Sequence, residues 1–342
     1  MVNADTIAQD NRESIDQGPK VCLGMPLYNQ TQYLPEALDS LLAQTYRHFH
    51  LIVSDDSTEP GPGQIVRSYA SGDQRISYFR NEVRKGMVDN WRNCFHLSTD
   101  VDYFAWVGDH DVWHPDWLNS MVQVLDNNPD IVMVYPKTVN IDMQGDRRDK
   151  KPEKSVPLFS TVGLNDAARI KSVCQSGRGF GSMVYGLFRA EALRRAGVFR
   201  RVLYPDVILM HELSFLGDLH QVDAELWRRR RTARFSIARQ KKSLFMKKPW
   251  YFFLPWPFVN ASALFWNTAV RSGAATPSQR FLGFKMSWMY LRRWARKFGG
   301  GSWIGSYHEW TTGQKPWIKK LKNRLRDKNS NRWKRKGTDG GA

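Results

Sequence analysis

Between residues 21 and 135, short apolar runs alternate with stretches whose apolar residues recur every three or four positions. The runs KVCLGM (20–25), FHLIVS (49–54), RISYF (75–79), VDYFAWV (101–107) and IVMVYP (131–136) have the length and content of buried strands. YLPEALDSLLAQT (33–45) puts Leu34, Leu38, Leu41 and Leu42 on one helical stripe. WHPDWLNSMVQVLDNN (113–128) reads as a helix with Pro115 near its start. Strands and helices alternating in this way predict an α/β fold with a mainly parallel sheet covered on both faces. Residues 137–180 are polar and rich in Lys, Asp, Pro and Gly, and read as a long excursion from the sheet. Apolar character returns at MVYGLF (183–188), followed by a helix, AEALRRAGV, and a second helix over about 206–216. Residues 221–227 are again strand-like.

Charge divides the chain. Residues 226–342 hold 28 Lys and Arg against Glu309, Asp327 and Asp339, a net +25, whereas the rest of the chain carries −7. An acidic front and a basic rear predict metal or substrate chemistry in front and attraction to an anionic surface behind. The rear holds an uncharged stretch over 249–270 whose Pro249, Pro255 and Pro257 argue against a simple membrane span. Further on, Trp317, Ile318, Leu321 and Leu325 recur at helical spacing among lysines and arginines, the pattern of a basic amphipathic helix on an anionic membrane face. A solvated basic tail is the plainer alternative. The first eighteen residues lack an apolar run and read as a flexible leader. Cys22, Cys94 and Cys174 stand at no metal or redox spacing and read as buried reduced thiols of a cytoplasmic protein.

In parallel sheets, ligands bind beyond the carboxyl ends of the strands. Strand two ends in Ser54-Asp55-Asp56-Ser57 and strand four in Gly108-Asp109-His110-Asp111. Acids at two strand ends, expected to be neighbours, suit a divalent ion held between carboxylates and a diphosphate. The alternative is that Asp55 and Asp109 only cap the following turns or helices.

The ordered set of these motifs resembles family 2 glycosyltransferases with the GT-A fold. The resemblance covers residues 20–136 and rests on Met25-Pro26-Leu27-Tyr28-Asn29, LLAQTY (41–46) and Asp55-Asp56-Ser57. It continues through Asn81, Gly86 and Asn90 to Gly108-Asp109-His110-Asp111 and Trp113-His114-Pro115-Asp116. It implies that Pro26 and Tyr28 line the base and ribose pocket, that Asp56 contacts the nucleoside, and that Asp109 and Asp111 form an Asp-X-Asp signature. One of that pair would face the ribose and the other Mn²⁺ or Mg²⁺. Aligned on the following residues, the metal position can instead fall on His110, so that either Asp111 or His110 takes the metal or metal dependence is weakened; Asp109 and Asp111 are the favoured pair, with His110 the further candidate ligand. Arg80 to Gly86 is either a source of cations for the diphosphate or a solvated turn. The resemblance also implies an inverting transfer with a general base at the start of a late helix. Asp206, in Tyr204-Pro205-Asp206, fits that base, or else serves as a helix N-cap. His211 and Glu212 read as supporting groups, Glu212 as a partner for a nearby arginine.

The expected organisation is a leader over 1–18, a catalytic domain over 19–235 and a basic, aromatic helical extension over 236–342. The catalytic domain would divide into a nucleotide-sugar half (19–136) and an acceptor half (137–235). The expected partners are a nucleotide-sugar donor, UDP-linked by familial default, and a glycan or lipid-linked glycan acceptor, in cell-surface or exopolysaccharide synthesis. A peripheral position on the inner face of the plasma membrane follows from the basic rear. Two other readings are a nucleic-acid-binding protein using that rear and a catalytically inactive transferase-like module. The first leaves the strand-end acids unexplained, so no nucleic acid is expected. Nucleotidyl transfer is disfavoured because PLYNQTQ, after strand one, is no glycine-rich phosphate loop.

Overall fold

The computed structural model describes residues 18–148, 158–176, 180–231, 244–246, 249–254, 256–270 and 277–298. The leader and the amphipathic pattern around Trp317 lie outside the described residues.

Eight strands form one mixed sheet in the order β3-β2-β1-β4-β7-β6-β8-β5. Strands β1 (Val21–Leu27), β2 (Phe49–Asp55), β3 (Ile76–Arg80) and β4 (Tyr103–Trp106) are mutually parallel, with β1 paired to both β2 and β4. Six of the seven β1 residues are buried, as expected for a strand covered on both faces. Gly24 is required there, because an added Cβ would lie 2.6 Å from the Phe104 ring and 2.7 Å from Cys94 Cβ. The chain winds from β1 to β2 and β3, then returns past β1 to β4. This reversal opens a crevice beyond the strand ends, where such sheets bind ligands. It also corrects one expectation: β2 and β4 are not neighbours, since β1 lies between them.

The other half reverses direction. Strand β7 (Leu187–Arg189) is antiparallel to β4 and to β6 (Ile131–Ile141), and β8 (Asp218–Arg230) is parallel to β6. Strand β6 outruns its expected end at Pro136. Val139 and Ile141 stay buried while Lys137, Thr138 and Asn140 alternate with them, and register shifts around Lys137 absorb the irregularity. The polar excursion therefore begins five residues later than the composition predicts. Strand β5 (Val112–Trp113) pairs antiparallel with β8, so Trp113 belongs to the sheet and not to the helix expected over 113–128.

Among the described residues, eight helices flank or connect the strands before the extension: α1 (Leu34–Leu42), α2 (Gly61–Gly72), α3 (Met87–Leu97), α4 (Trp117–Asn127), α5 (Asp166–Ser176), α6 (Phe180–Met183), α7 (Ala190–Ala196) and α8 (Pro205–Leu213). Leu34, Leu38 and Leu41 of the expected stripe are buried under the sheet, with Leu42 half-buried at its margin. Beyond β8, the extension contributes α9 (Trp256–Phe265) and α10 (Pro277–Phe298). Trp256, Leu264, Met286 and Tyr290 join the same core as Phe104 and Trp106. No helix among the described residues is long and apolar enough to cross a membrane. All three cysteines are buried free thiols, and burial pushes Cys22 up to about 12.

Candidate functional site

At the end of β2 two adjacent carboxylates point into different networks. Asp55 is fully buried and accepts hydrogen bonds from the Ser57 amide (2.8 Å), the Tyr78 hydroxyl (2.7 Å) and Arg80 (2.6 Å). Burial alone would raise its pKa, but these donors outweigh burial and hold it below its ordinary value. Arg80, one candidate cation for a diphosphate, is thus occupied within the fold. Asp56 accepts from the backbone amides of Lys85 (2.7 Å) and Gly86 (2.9 Å) and from Asn81 Nδ2 (3.2 Å). Gly86 has φ +81°, a left-handed conformation that suits glycine and turns those two amides toward the carboxylate. The Arg84 guanidinium lies 4.7 Å above the Tyr28 ring, whose residue is exposed, and its Nε is 3.9 Å from Asp56. That Nε is buried without a hydrogen-bond partner among the described residues. Pro26, half-buried on β1 beside Ser54, leads into this surface.

The turn after β4 lies two strands away, about 10 Å at ordinary strand spacing, a span that suits a nucleoside. Here Asp109 bonds the Nδ1 of His110, and both remain partly open to solvent. Burial opposes a charge on His110, but the hydrogen bond from Asp109 and the charges of Asp109 and Asp111 raise its pKa. Asp111 is different. It is 1% exposed, and its oxygens accept from Trp227 Nε1 (3.2 Å) and the Arg230 amide (2.9 Å). Burial raises its pKa. Arg230 also donates to the His110 carbonyl (3.0 Å) and to Glu36 (2.6 Å), and its guanidinium lies 4.4 Å above the Tyr33 ring. The turn is thereby tied to β8 and to the start of α1.

The start of α8 shares with this turn an electrostatic effect on Tyr185. Tyr204, just before it, has φ 56° and ψ 56°, a strained conformation for a residue with a side chain. Asp206 sits in the first turn, not at the cap, where the helix dipole favours an anion. Burial nevertheless raises its pKa, against the lowering effect of the Val207 amide and of Arg229. Tyr185 joins the two regions. Burial raises its hydroxyl, Arg229 lowers it, and the charges of Asp111, Asp109 and Asp206 all act on it. Arg229 lies 5.8 Å above the Tyr185 ring and 5.6 Å from the Trp227 ring. The charges of Asp109, Asp111 and Asp206 thus all reach the Tyr185 phenol, and Arg229 acts on Asp111 and Asp206, while Asp56 lies with Tyr28 and Arg84.

Sequence reading missed Tyr185, Arg229 and Arg230. The four-arginine run at 228–231 was visible, but not that strand alternation would bury Arg230 and place Arg229 against Tyr185. Glu212 pairs with Arg200 at 3.0 Å, as expected. His211 is buried, bonds the Val207 carbonyl (2.6 Å) and is pushed down to about 4 by burial, so it stays neutral.

Comparison with known proteins agrees with this architecture. The structure of S. aureus TarS 1–349 in complex with UDP-GlcNAc superposes with a TM-score of 0.56 at 13% identity, over 85% of this chain and 78% of that one. An uncharacterized glycosyltransferase of Rickettsia prowazekii is 31% identical over 151 residues, 41% of this chain and 46% of its own length. Protein y4gI of Sinorhizobium fredii, also uncharacterized, is 30% identical over 176 residues, 48% of this chain and 19% of its own length. The chain thus spans less than half the length of these curated relatives. The family model "Glycosyl transferase family 2" matches residues 22–195, from the first residues of β1 to the end of α7 and across every strand-end carboxylate described above, and the chain belongs to that family.

Proposed function

We propose that this chain is a hexosyl transferase that moves a sugar from a nucleotide-diphosphate donor, UDP-linked, to a hydroxyl acceptor with inversion. Tyr28, Pro26 and Asp56 hold the nucleoside, with Arg84 closing over Tyr28. Asp109 faces the ribose and diphosphate. Asp206 takes the proton of the attacking hydroxyl. The observation that carries this reading is that Tyr185, with Arg229 5.8 Å above its ring, lies within electrostatic reach of both Asp109 and Asp206. A carboxylate held above its ordinary pKa by burial suits a base, because its proton affinity is higher. The fold neighbour TarS was solved with UDP-GlcNAc, which supports a UDP-linked donor.

The donor atoms fit a divalent ion only in a reduced form. Asp111 uses its carboxylate inside the fold, and no group of three His, Cys, Asp or Glu side chains among the described residues is gathered to hold an ion. Asp109 and His110 remain, one oxygen and one nitrogen donor, and Mg²⁺ or Mn²⁺ often takes few protein ligands beside substrate phosphates. A bound ion would supply positive charge against the departing diphosphate. In this reading Asp111 acts by fixing the turn that carries Asp109 and His110.

The division into a catalytic domain over 19–235 and an extension over 236–342 belongs to the same proposal, as does a role in cell-surface or exopolysaccharide synthesis at a membrane face. Thermal shift of the chain with a panel of nucleoside diphosphates, with and without Mn²⁺, tests the donor side. Stabilisation by UDP that deepens with the ion is expected, on the order of 2.7 kcal/mol at a hundred times Kd. No response to any nucleotide overturns the reading.

A further inference from the structure

Behind the basic turn that cradles Asp56 lies a cavity of about 600 Å³ between α3, the loop before α8 and the segment around Phe245. Asp89, Arg92, Asn93 and His96 line it from one face of α3, at the i, i+3, i+4, i+7 spacing of neighbours on a helix. Arg84 and Lys85 enter from the turn and Arg201 from the opposite loop. Arg84, Lys85, Arg92 and Arg201 thus line the space, Arg84 also lying 3.9 Å from Asp56, against Asp89 as the only carboxylate among its lining residues. Asp89 accepts from Arg201 Nε at 2.9 Å and lies 3.8 Å from Arg92 Nε, so its one charge is shared between two guanidinium groups. Arg92 is half-buried, and burial together with the nearby Arg201 and Arg200 works against its charge. Cations crowded at a partly desolvated surface are costly unless an anion joins them.

The remaining wall is apolar. Phe245, stacked parallel to Trp256 at 6.1 Å, forms the wall with Met246 and Pro249. Met246 is 50% exposed, and the adjoining Trp250 is 83% exposed. A site for a bare nucleotide phosphate has no use for that edge. The distance also separates the two: Asp89 to His96 spans about 10 Å of helix, leading away from the turn that cradles Asp56.

We propose that this cavity binds a phosphate or diphosphate carried on an apolar chain, the cations taking the phosphoryl oxygens and Phe245, Met246 and Pro249 the first carbons. Its position explains what such a ligand does here. Arg84 also covers Tyr28, and Arg201 lies five residues before Asp206. A sugar attached to the anchored phosphate is then held between the donor pocket and the base, as an acceptor must be. That acceptor role rests on the reading under Proposed function; the binding itself does not.

The test is calorimetric titration of the full chain, without nucleotide or metal, using farnesyl diphosphate below its micelle concentration, inorganic pyrophosphate and farnesol. Farnesyl diphosphate is expected to bind at least about tenfold tighter than either of the others. Arg201→Glu and His96→Glu each place a carboxylate in the cavity without touching the donor residues. Each should weaken farnesyl diphosphate about tenfold while the UDP-induced thermal shift stays as in the wild type, which also certifies folding. Pyrophosphate binding as tightly as farnesyl diphosphate overturns the proposal, as does farnesol binding as tightly, or unchanged affinity in both variants. Loss of the nucleotide response in the wild type would instead strike the donor reading and leave this measurement standing.

Discussion

The end of β2 and the region between β4 and α8 both present carboxylates, but their surroundings treat them oppositely. Asp55 receives a backbone amide, a phenol and a guanidinium, and the sum holds it ionised. Asp206 has a helix start and a distant arginine, and burial dominates. The first arrangement is closed: the fold itself supplies the donors. The second is open: burial outweighs the donors that the fold supplies. In the turn after β4, Asp111 spends its oxygens on Trp227 and Arg230 although burial still raises its pKa, whereas Asp109 stays partly open to solvent. Residue type therefore says little about role at a strand end; the supply of internal donors decides it.

The sharpest way to break this comparison is Asp206→Asn. Transfer should fall about 10²–10⁴-fold, the usual worth of a positioned base, while UDP still raises the melting temperature. Wild-type turnover would remove Asp206 from the open set. Next is Asp111→Ala, which orphans the Trp227 indole and the Arg230 amide. Each buried donor costs about 1–3 kcal/mol, so urea denaturation should show a loss of about 3 kcal/mol. A change within 0.5 kcal/mol would deny Asp111 its structural role. Asp109→Asn, by contrast, should leave unfolding near the wild type and weaken nucleotide binding about tenfold, one charged hydrogen bond's worth. Arg84→Ala should have the smallest effect on affinity, about 0.5–1 kcal/mol from the lost contact with Tyr28.

Acidity separates the two neighbourhoods without mutation. The folded pKa of Asp55 lies below its ordinary 3.8, so its contribution to stability is complete above 3.8 and is lost only as pH falls through the depressed value. Asp206 lies above 3.8, so its basic form disappears at a higher pH. On acidification from neutrality, transfer should stop while the fold persists. Coincident loss of rate and of structure, measured by turnover and by circular dichroism, would contradict the division.

Much of this was legible in the chain. Strands β1 to β4 announce themselves as apolar runs, and the acids that follow β2 and β4 are visible at their ends. The Pro205-Asp206 start of α8 is a local signal as well. Other features depend on partners far away in sequence. The two residues of β5 carry no period and are strand only because β8 lies beside them. Pro136 and Lys137 hide the continuation of β6, although Val139 and Ile141 keep its alternation. The inward turn of Asp111 is set by Trp227 and Arg230, more than a hundred residues later. No local pattern distinguishes it from Asp109.

That last separation has a bearing on how the protein is made. The turn after β4 is closed by an amide and a guanidinium from residue 230, 119 positions beyond Asp111. During synthesis, β1 to β4 can emerge and pair while the strand that fastens their shared turn has not yet been translated. Contacts so distant along the chain form late and slowly. The nascent protein can thus own the surface of Tyr28 and Asp56 well before it owns a finished turn at Asp109 to Asp111.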